Sequence, residues 1–329
     1  MSSEDKNKND LDNDSDSNLV SIRGTDCFVH RWEAKNNNDE SNNNPKALIV
    51  LYHGFLAHGG YPTVRYAAEF FAQAGYAVVA IDFPGHGKSG GMRGYLESAD
   101  DLIEDGIAMC QYAQSLYINE NENENDNENE NKSKNKIPLV LCGSSMGGAI
   151  ALSVARKLSQ ASVDDDSVIP MVIMMAPMLK LNVSSIEHTA LQCLAFVTPT
   201  LKLIPSSSTD SSKQYRDEKK RKECEEDGLL DPPGTSNNIR VASALTCVDI
   251  TLNISKDFNT ISNPYLLLIA DEDVVVKNEG SEEFHTKNIS QDKTKINYPA
   301  LHGLLCEPSP LFDTIKTDIL NWLDKRISY

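Results

Sequence analysis

Basic charge is scarce in this 329-residue chain: 31 Lys and Arg stand against 48 Asp and Glu, for a formal net charge of −17. Without a basic stripe to neutralise phosphates, nucleic acid is excluded as a partner. The one basic cluster, RDEKKRK at 216–222, is followed at once by Glu223, Glu225, Glu226 and Asp227, the pattern of a solvated helix face. Seven cysteines show neither CxxC nor paired spacing, which points to a reducing compartment and away from a disulfide framework or a zinc site. No apolar run approaches the length of a transmembrane helix. The first residues carry neither an apolar signal core nor an Arg-rich transit pattern. A soluble, cytoplasmic protein is therefore expected. A phosphate loop is missing too. The glycines at 143–148 lack the lysine of G-x-x-x-x-G-K-[ST], and GHGKSGG at 85–91 has a lysine at the wrong spacing. Neither a metal nor a nucleotide cofactor is indicated.

Three stretches cannot build a core. Residues 1–18 form an acidic tail, 35–44 is nearly all polar, and 119–136 is Asn/Glu low complexity. Such segments bury too little apolar surface to offset their ordering entropy, so they read as a tail and two solvated insertions.

Short apolar runs alternate with helical patterns through the remainder. CFVHRWEA (27–34) alternates like a half-exposed strand. KALIVLYHG (46–54), YAVVAIDFPGHG (76–87), IPLVLCGS (137–144), VIPMVIMMAP (168–177), YLLLIADED (265–273) and TKINYPALHG (294–303) each read as a strand leading into a loop. Helical stripes occupy 63–75, 99–117, 146–159 and 311–326. Strands and helices in alternation predict an α/β fold, a mostly parallel central sheet with helices on both faces. Residues 178–248 break the pattern, with helical pieces at 184–197 and 215–230 and no convincing strand. They read as a helical cap inserted before the acid-bearing strand, leaving 19–177 and 249–329 as the core. For the apolar stretch ALQCLAFVTPTLKLIP (190–205), packing onto the core is the plainer reading. The sharper one is that part of it lines a tunnel or touches a lipid interface.

In such sheets, ligands bind beyond the carboxyl ends of the strands. Residues 143–147 spell Gly-Ser-Ser-Met-Gly, a G-x-S-x-G between a predicted strand and a predicted helix. Composition alone gives roughly 0.09 chance occurrences, so the strand–turn–helix context carries the specificity. There a serine is held with its hydroxyl above the sheet, and Gly143 and Gly147 are required because a Cβ would strike the closing turn. Ser145 is the candidate nucleophile. It needs a base, and the chain order of this fold class is serine, acid, histidine. His302 lies just past the last predicted strand and takes that role. His53, His58 and His86 sit at strand ends but precede the serine, whereas His30, His188 and His285 fall inside elements and read as ordinary. For the acid, LLLIADEDVVV offers Asp271, Glu272 and Asp273, of which Asp273 has the better context and Asp271 is the alternative. The oxyanion donors are expected to be the backbone N–H groups of Met146 and, in HGFLAHGG (53–60), Phe55.

Together these residues resemble the serine α/β-hydrolase superfamily. Within it they are most similar to the monoacylglycerol lipase/lysophospholipase group, especially plant-like members such as caffeoylshikimate esterases, a group also labelled serine aminopeptidase S33. LYHGFLAHGG, DFPGHGKSGGMRGYLES, GSSMGGAIAL, VIMMAPMLKL, ADEDVVV, YPALHGLLCEP and DILNWLDKR carry the likeness across about residues 46–327. The resemblance implies an α/β-hydrolase fold with a cap over the site, no cofactor, and hydrolysis of esters such as monoacylglycerols or lysophospholipids through an acyl-enzyme. It implies Ser145, Asp273 and His302 as the triad, and allows a peripheral membrane contact through the cap. The chain departs from the group in having Ile269-Ala270 where relatives carry His-Gly, and in its cap around 206–213 and 231–238. Small or phenolic esters, peptides and acyl transfer are the other chemistries open to this triad, and a non-catalytic binding module is the alternative from another class.

Overall fold

The computed structural model describes residues 18–35, 44–117, 137–161, 169–206, 210–229 and 238–327. The expected acidic tail and the two polar insertions lie outside these residues, apart from one or two positions at their ends, as do parts of 206–213 and 231–238. The strands are β1 (Leu19–Ile22), β2 (Thr25–Trp32), β3 (Leu48–Tyr52), β4 (Ala77–Ile81), β5 (Leu139–Ser144), β6 (Met171–Met175), β7 (Lys202–Pro205), β8 (Asn238–Arg240), β9 (Tyr265–Ala270) and β10 (Lys293–Tyr298). The helices are α1 (Pro62–Gln73), α2 (Ala99–Ser115), α3 (Met146–Ala161), α4 (Ser185–Val197), α5 (Ser211–Gln214), α6 (Glu218–Glu225), α7 (Val241–Lys256), α8 (Asn278–Lys287) and α9 (Leu311–Asp324).

Eight strands form one sheet in the order β1-β2-β4-β3-β5-β6-β9-β10. The pairs β1/β2 and β2/β4 are antiparallel, and every other pair is parallel. The centre of the sheet follows from hydropathy, since LIVLY, AVVAI and YLLLIA are buried along their whole length. Alternate residues serve opposite faces. Leu48, Val50 and Tyr52 of β3 pack with Met109 of α2, Ile150 of α3 and Phe284 of α8. Ile49 and Leu51 pack with Phe70 and Phe71 of α1 and with Ile319 and Trp322 of α9. Each such side chain taken fully out of water contributes about 1.5–3 kcal/mol, so a helix layer is needed on both faces.

Local signals set the helix starts. Pro62 occupies the first turn of α1. Ser98 caps α2 by accepting the Asp101 N–H, and Ser184 with Glu187 forms a capping box on α4.

Between β6 and β9 the chain leaves the sheet. The expectation of no strand there is corrected by the two-stranded ribbon of β7 and β8, short segments that hold together only by pairing with each other. Helix α7 runs through position 248, where the sequence reading ended the cap, and it packs on α2 and α3. The expectation that 190–205 packs into the core is corrected as well. No residue of α4 is buried, and Ile186 and Phe196 are 83% and 91% exposed. The helix rests on α7, joined there by His188 Nε2 and Asp249 at 2.7 Å. Among the described residues, no helix is long and apolar enough to cross a membrane.

Candidate active site

All parallel strands end at one edge of the sheet, and the loops leaving that edge after β3, β4, β5, β9 and β10 carry residues singled out by the sequence. At the end of β5, Ser145 takes φ +57°, a left-handed conformation that a side-chain-bearing residue adopts only where its surroundings compel it. Backbone bonds supply the compulsion. Ser145 N–H donates to the Met175 carbonyl at 3.1 Å, and the Ser145 carbonyl accepts from Gly148 and Met178 N–H at 3.0 and 2.9 Å. The turn closes against glycine alone. A Cβ on Gly147 would stand 1.9 Å from the Tyr52 oxygen, and one on Gly143 would stand 2.2 Å from the Gly147 oxygen.

Asp273 and His302, from the loops after β9 and β10, meet directly. His302 Nδ1–H donates to Asp273 Oδ2 at 2.6 Å, with the imidazole 5% and the carboxylate 0% exposed. The other carboxylate oxygen, Oδ1, accepts from Val275 and Val276 N–H at 2.7 and 3.1 Å. Asp271 is exposed and instead accepts from Asn297 Nδ2 at 2.7 Å, away from the imidazole. Met146 opens α3, so its N–H has no acceptor within the helix. Phe55 follows Gly54, whose position for a Cβ lies 3.6 Å from Ser145 Cβ; the loop after β3 thus runs beside Ser145.

The chain thus holds a serine at a left-handed strand–helix turn after β5 and, in the loops after β9 and β10, a buried Asp–His pair. The model of the family described as Hydrolase_4, serine aminopeptidase S33, matches residues 43–309. The chain belongs to this family. The rat monoglyceride lipase is 25% identical over 317 residues, covering 94% of this chain and 90% of its own. The monoacylglycerol lipase of Mycolicibacterium smegmatis is 23% identical, over 85% of this chain and 88% of its own. Among solved structures, a soluble variant of the Saccharomyces cerevisiae monoglyceride lipase, in complex with a substrate analog, superposes with a TM-score of 0.75 at 19% identity, covering 96% of each chain. The Paleococcus ferrophilus monoacylglycerol lipase gives 0.68 at 22% identity, over 90% of this chain and 98% of its own. The fold is the α/β-hydrolase fold.

In this S33 chain the sequence reading missed the role of a group of histidines around the loops after β3 and β4. His53 was placed only at a strand end. In the structure its Nε2 accepts the Phe83 N–H at 3.0 Å, so Nδ1 carries the proton and donates to the Gly54 carbonyl at 2.8 Å. The ring therefore fixes the peptide that leads into Phe55. His86, edge-on to Phe55 at 5.9 Å, donates from Nδ1 to the Pro84 carbonyl. His30, read as ordinary, pairs through Nε2 with Asp82 Oδ1 at 2.9 Å. His30, His58 and Asp82 offer donor atoms within 4.8 Å of one another. Asp82 is already engaged, however, since Oδ1 also accepts Gly59 N–H and Oδ2 accepts Lys88 N–H. These groups brace the loops after β3 and β4. A histidine closing a buried strand just before a glycine was the available signal.

The segment between β6 and β9 also touches the loops that carry Asp273 and His302. Arg216, between α5 and α6, pairs with Glu272 at 2.9 Å and with buried Glu307 at 3.0 Å. Glu307 in turn accepts the Leu301 N–H at 2.7 Å. One side chain thus spans the neighbours of both Asp273 and His302.

Burial lowers the His53 pKa from 6.5 to about 3 and that of His86 from 6.5 to about 4. Both are neutral when folded, and protonating His53 would destroy the acceptor of the Phe83 N–H. Because the folded values are depressed, their contribution to stability is complete above pH 6.5. It is lost as pH falls, down to about 4 for His86 and about 3 for His53. Each pH unit inside that window removes on the order of 1 kcal/mol per histidine. Calorimetry should accordingly find the melting temperature falling steadily from about pH 6.5 to about pH 5, in a steeper decline than carboxylate titration alone gives. A melting temperature flat across that interval would contradict neutral, buried histidines.

Proposed function

We propose that this protein is a carboxylic ester hydrolase that cleaves monoacylglycerol-like lipids through an acyl-enzyme on Ser145. The observation that carries the reading is the buried 2.6 Å pair of His302 and Asp273, in a chain that also holds Ser145 at φ +57° above the sheet edge. Asp273 keeps the imidazole proton on Nδ1, which leaves Nε2 as the base. His302 takes the proton from Ser145 Oγ as the hydroxyl attacks the ester carbonyl. The developing oxyanion is received by the N–H groups of Phe55 and Met146, the latter at the positive end of α3. His302 then returns its proton to the leaving glycerol oxygen and activates the water that releases the fatty acid. Labelling with a fluorophosphonate probe tests the assignment: the adduct should map by mass spectrometry to Ser145. A modified residue elsewhere, or none in folded protein, would remove the basis for the reading.

A lipid substrate also agrees with the surface of α4. Ile186, Phe196 and Val197 stand 83%, 91% and 73% exposed, and Leu201 and Leu203 just beyond are about half exposed. An apolar patch of that kind on a cap suits a peripheral contact with a lipid surface, where the substrate resides. Burying one phenylalanine contributes about 1.5–3 kcal/mol, which corresponds to roughly tenfold or more in partitioning. Phe196→Glu should therefore lower turnover of monoacylglycerol presented in vesicles by about tenfold, while leaving a soluble short-chain ester within about twofold. Equal losses on both substrates would argue against a surface contact.

A further inference from the structure

Seven cysteines without paired spacing give no hint of a bridge, yet two of them meet in space. Cys224 lies in the last turn of α6 in the cap, and Cys306 ends the 3₁₀ turn Leu304–Cys306 that follows His302. Both are buried, at 1% and 0% exposure, in one small cluster with Ala57, Tyr61 and Tyr215. The helix is anchored around Cys306 from several sides. Asp217 N–H donates to the Cys306 carbonyl at 3.1 Å, and Lys220 Nζ donates to the carbonyls of Leu305 and Glu307 at 3.1 and 2.9 Å. Lys220 stands one helical turn before Cys224. That cluster brings the cysteine of the cap and the cysteine of the His302 loop together, beside the Tyr61 ring. Tyr61 in turn meets the Tyr215 hydroxyl at 3.3 Å.

We propose that Cys224 and Cys306 form a dithiol switch that a peroxide closes to a disulfide, tying the cap to the loop that carries His302. Two cysteines packed into one small buried cluster, on segments tied together by the Asp217 and Lys220 bonds, are placed to reach disulfide geometry by side-chain rotation and a short approach. Their roles differ. Hydrogen bonding from Cys306 holds the Cys224 thiol below its ordinary value despite burial, with help from Tyr61. The same bond, with burial, pushes the Cys306 thiol up. Cys224 is thus the attacking thiolate and Cys306 the resolving thiol. The Cys224 thiolate attacks one peroxide oxygen. An S–O bond forms, the O–O bond breaks, and the second oxygen leaves as water, giving a sulfenic acid. The Cys306 sulfur then attacks the Cys224 sulfur and displaces hydroxide, which takes the Cys306 proton and departs as water. Two thiols and one peroxide become one disulfide and two waters, the peroxide accepting two electrons. The new bond would close a ring of chain containing both Asp273 and His302, with Ser145 outside it. A thiol reductant reverses the change, as a reducing compartment requires.

The test uses the full chain and does not depend on the esterase reading. Protein treated with hydrogen peroxide is denatured, its remaining thiols are alkylated, and it is digested without reductant for mass spectrometry. A cross-linked peptide joining Cys224 and Cys306 is expected, lacking two hydrogens relative to its parts and absent when dithiothreitol is added. The melting temperature of the oxidised protein should rise by several degrees and return on reduction. Recovery of both thiols alkylated, with oxidation confined to exposed Cys193, would overturn the proposal. So would Cys224 oxidised to a sulfinic acid with Cys306 still free. A cross-link that leaves the melting temperature unchanged would refute the tie between cap and core.

Discussion

Ser145→Ala should lower kcat on a soluble short-chain ester by about 10⁴- to 10⁶-fold while leaving the melting temperature within a few degrees of wild type. The asymmetry follows from what the substitution removes. The strained turn is held by the Ser145 N–H and carbonyl, in bonds to Met175, Gly148 and Met178 that alanine keeps. Alanine carries the same Cβ through the same φ of +57°, so the elbow loses none of its geometry. Only the hydroxyl oxygen is gone. The N–H groups of Phe55 and Met146 would still bind a developing oxyanion, so a small rate above that of water should persist. A panel of monoacylglycerols, lysophospholipids and short acyl esters, run beside the variant, would also size the acyl pocket. If the variant kept activity within about tenfold of wild type, the acyl-enzyme would be wrong.

The elements legible in the sequence are those whose residues need no distant partner to declare themselves. LIVLY, AVVAI and YLLLIA are apolar on both faces, and only the middle of a covered sheet accepts that. The serine turn was legible because Gly143 and Gly147 flank Ser145 between an apolar run and a helical stripe, although the backbone that demands Gly147 is that of Tyr52, far away in the chain. What stayed hidden depends on contacts far apart in the chain. Strands β7 and β8 are four and three residues long and pair with each other across a long loop of chain. VASALTCVDITLNISK is rich in β-branched residues with weak helical preference, yet it is the helix α7 because it buries one side against α2 and α3. Phe196, in the stretch read as packing onto the core, lies on the exposed surface of α4, an outcome that hydropathy alone cannot distinguish from burial. The bracing role of His53 required knowing that the Phe83 N–H, from another strand's loop, points at its ring.

Between the two acids offered by ADEDVVV, a matched pair of substitutions separates the roles. Asp273→Asn should reduce kcat by about 10⁴-fold, whereas Asp271→Asn should stay within about twofold. The size of the first effect comes from the orientation the loop would impose on the new amide. Val275 and Val276 both donate N–H bonds to Oδ1 of Asp273, so an asparagine there must turn its oxygen toward them. Its NH₂ group then faces His302 Nδ1, where the carboxylate had accepted at 2.6 Å. A donor facing Nδ1 makes that nitrogen an acceptor and moves the imidazole proton to Nε2. The nitrogen that must take the serine proton is then already occupied, although every heavy atom is nearly in place. Asp271 imposes no such constraint, because its bond runs to the side chain of Asn297 at the surface. Kinetics on a soluble ester, with melting temperatures as a check on folding, decide the matter. A loss with Asp271→Asn as large as that with Asp273→Asn would reverse the assignment of the acid.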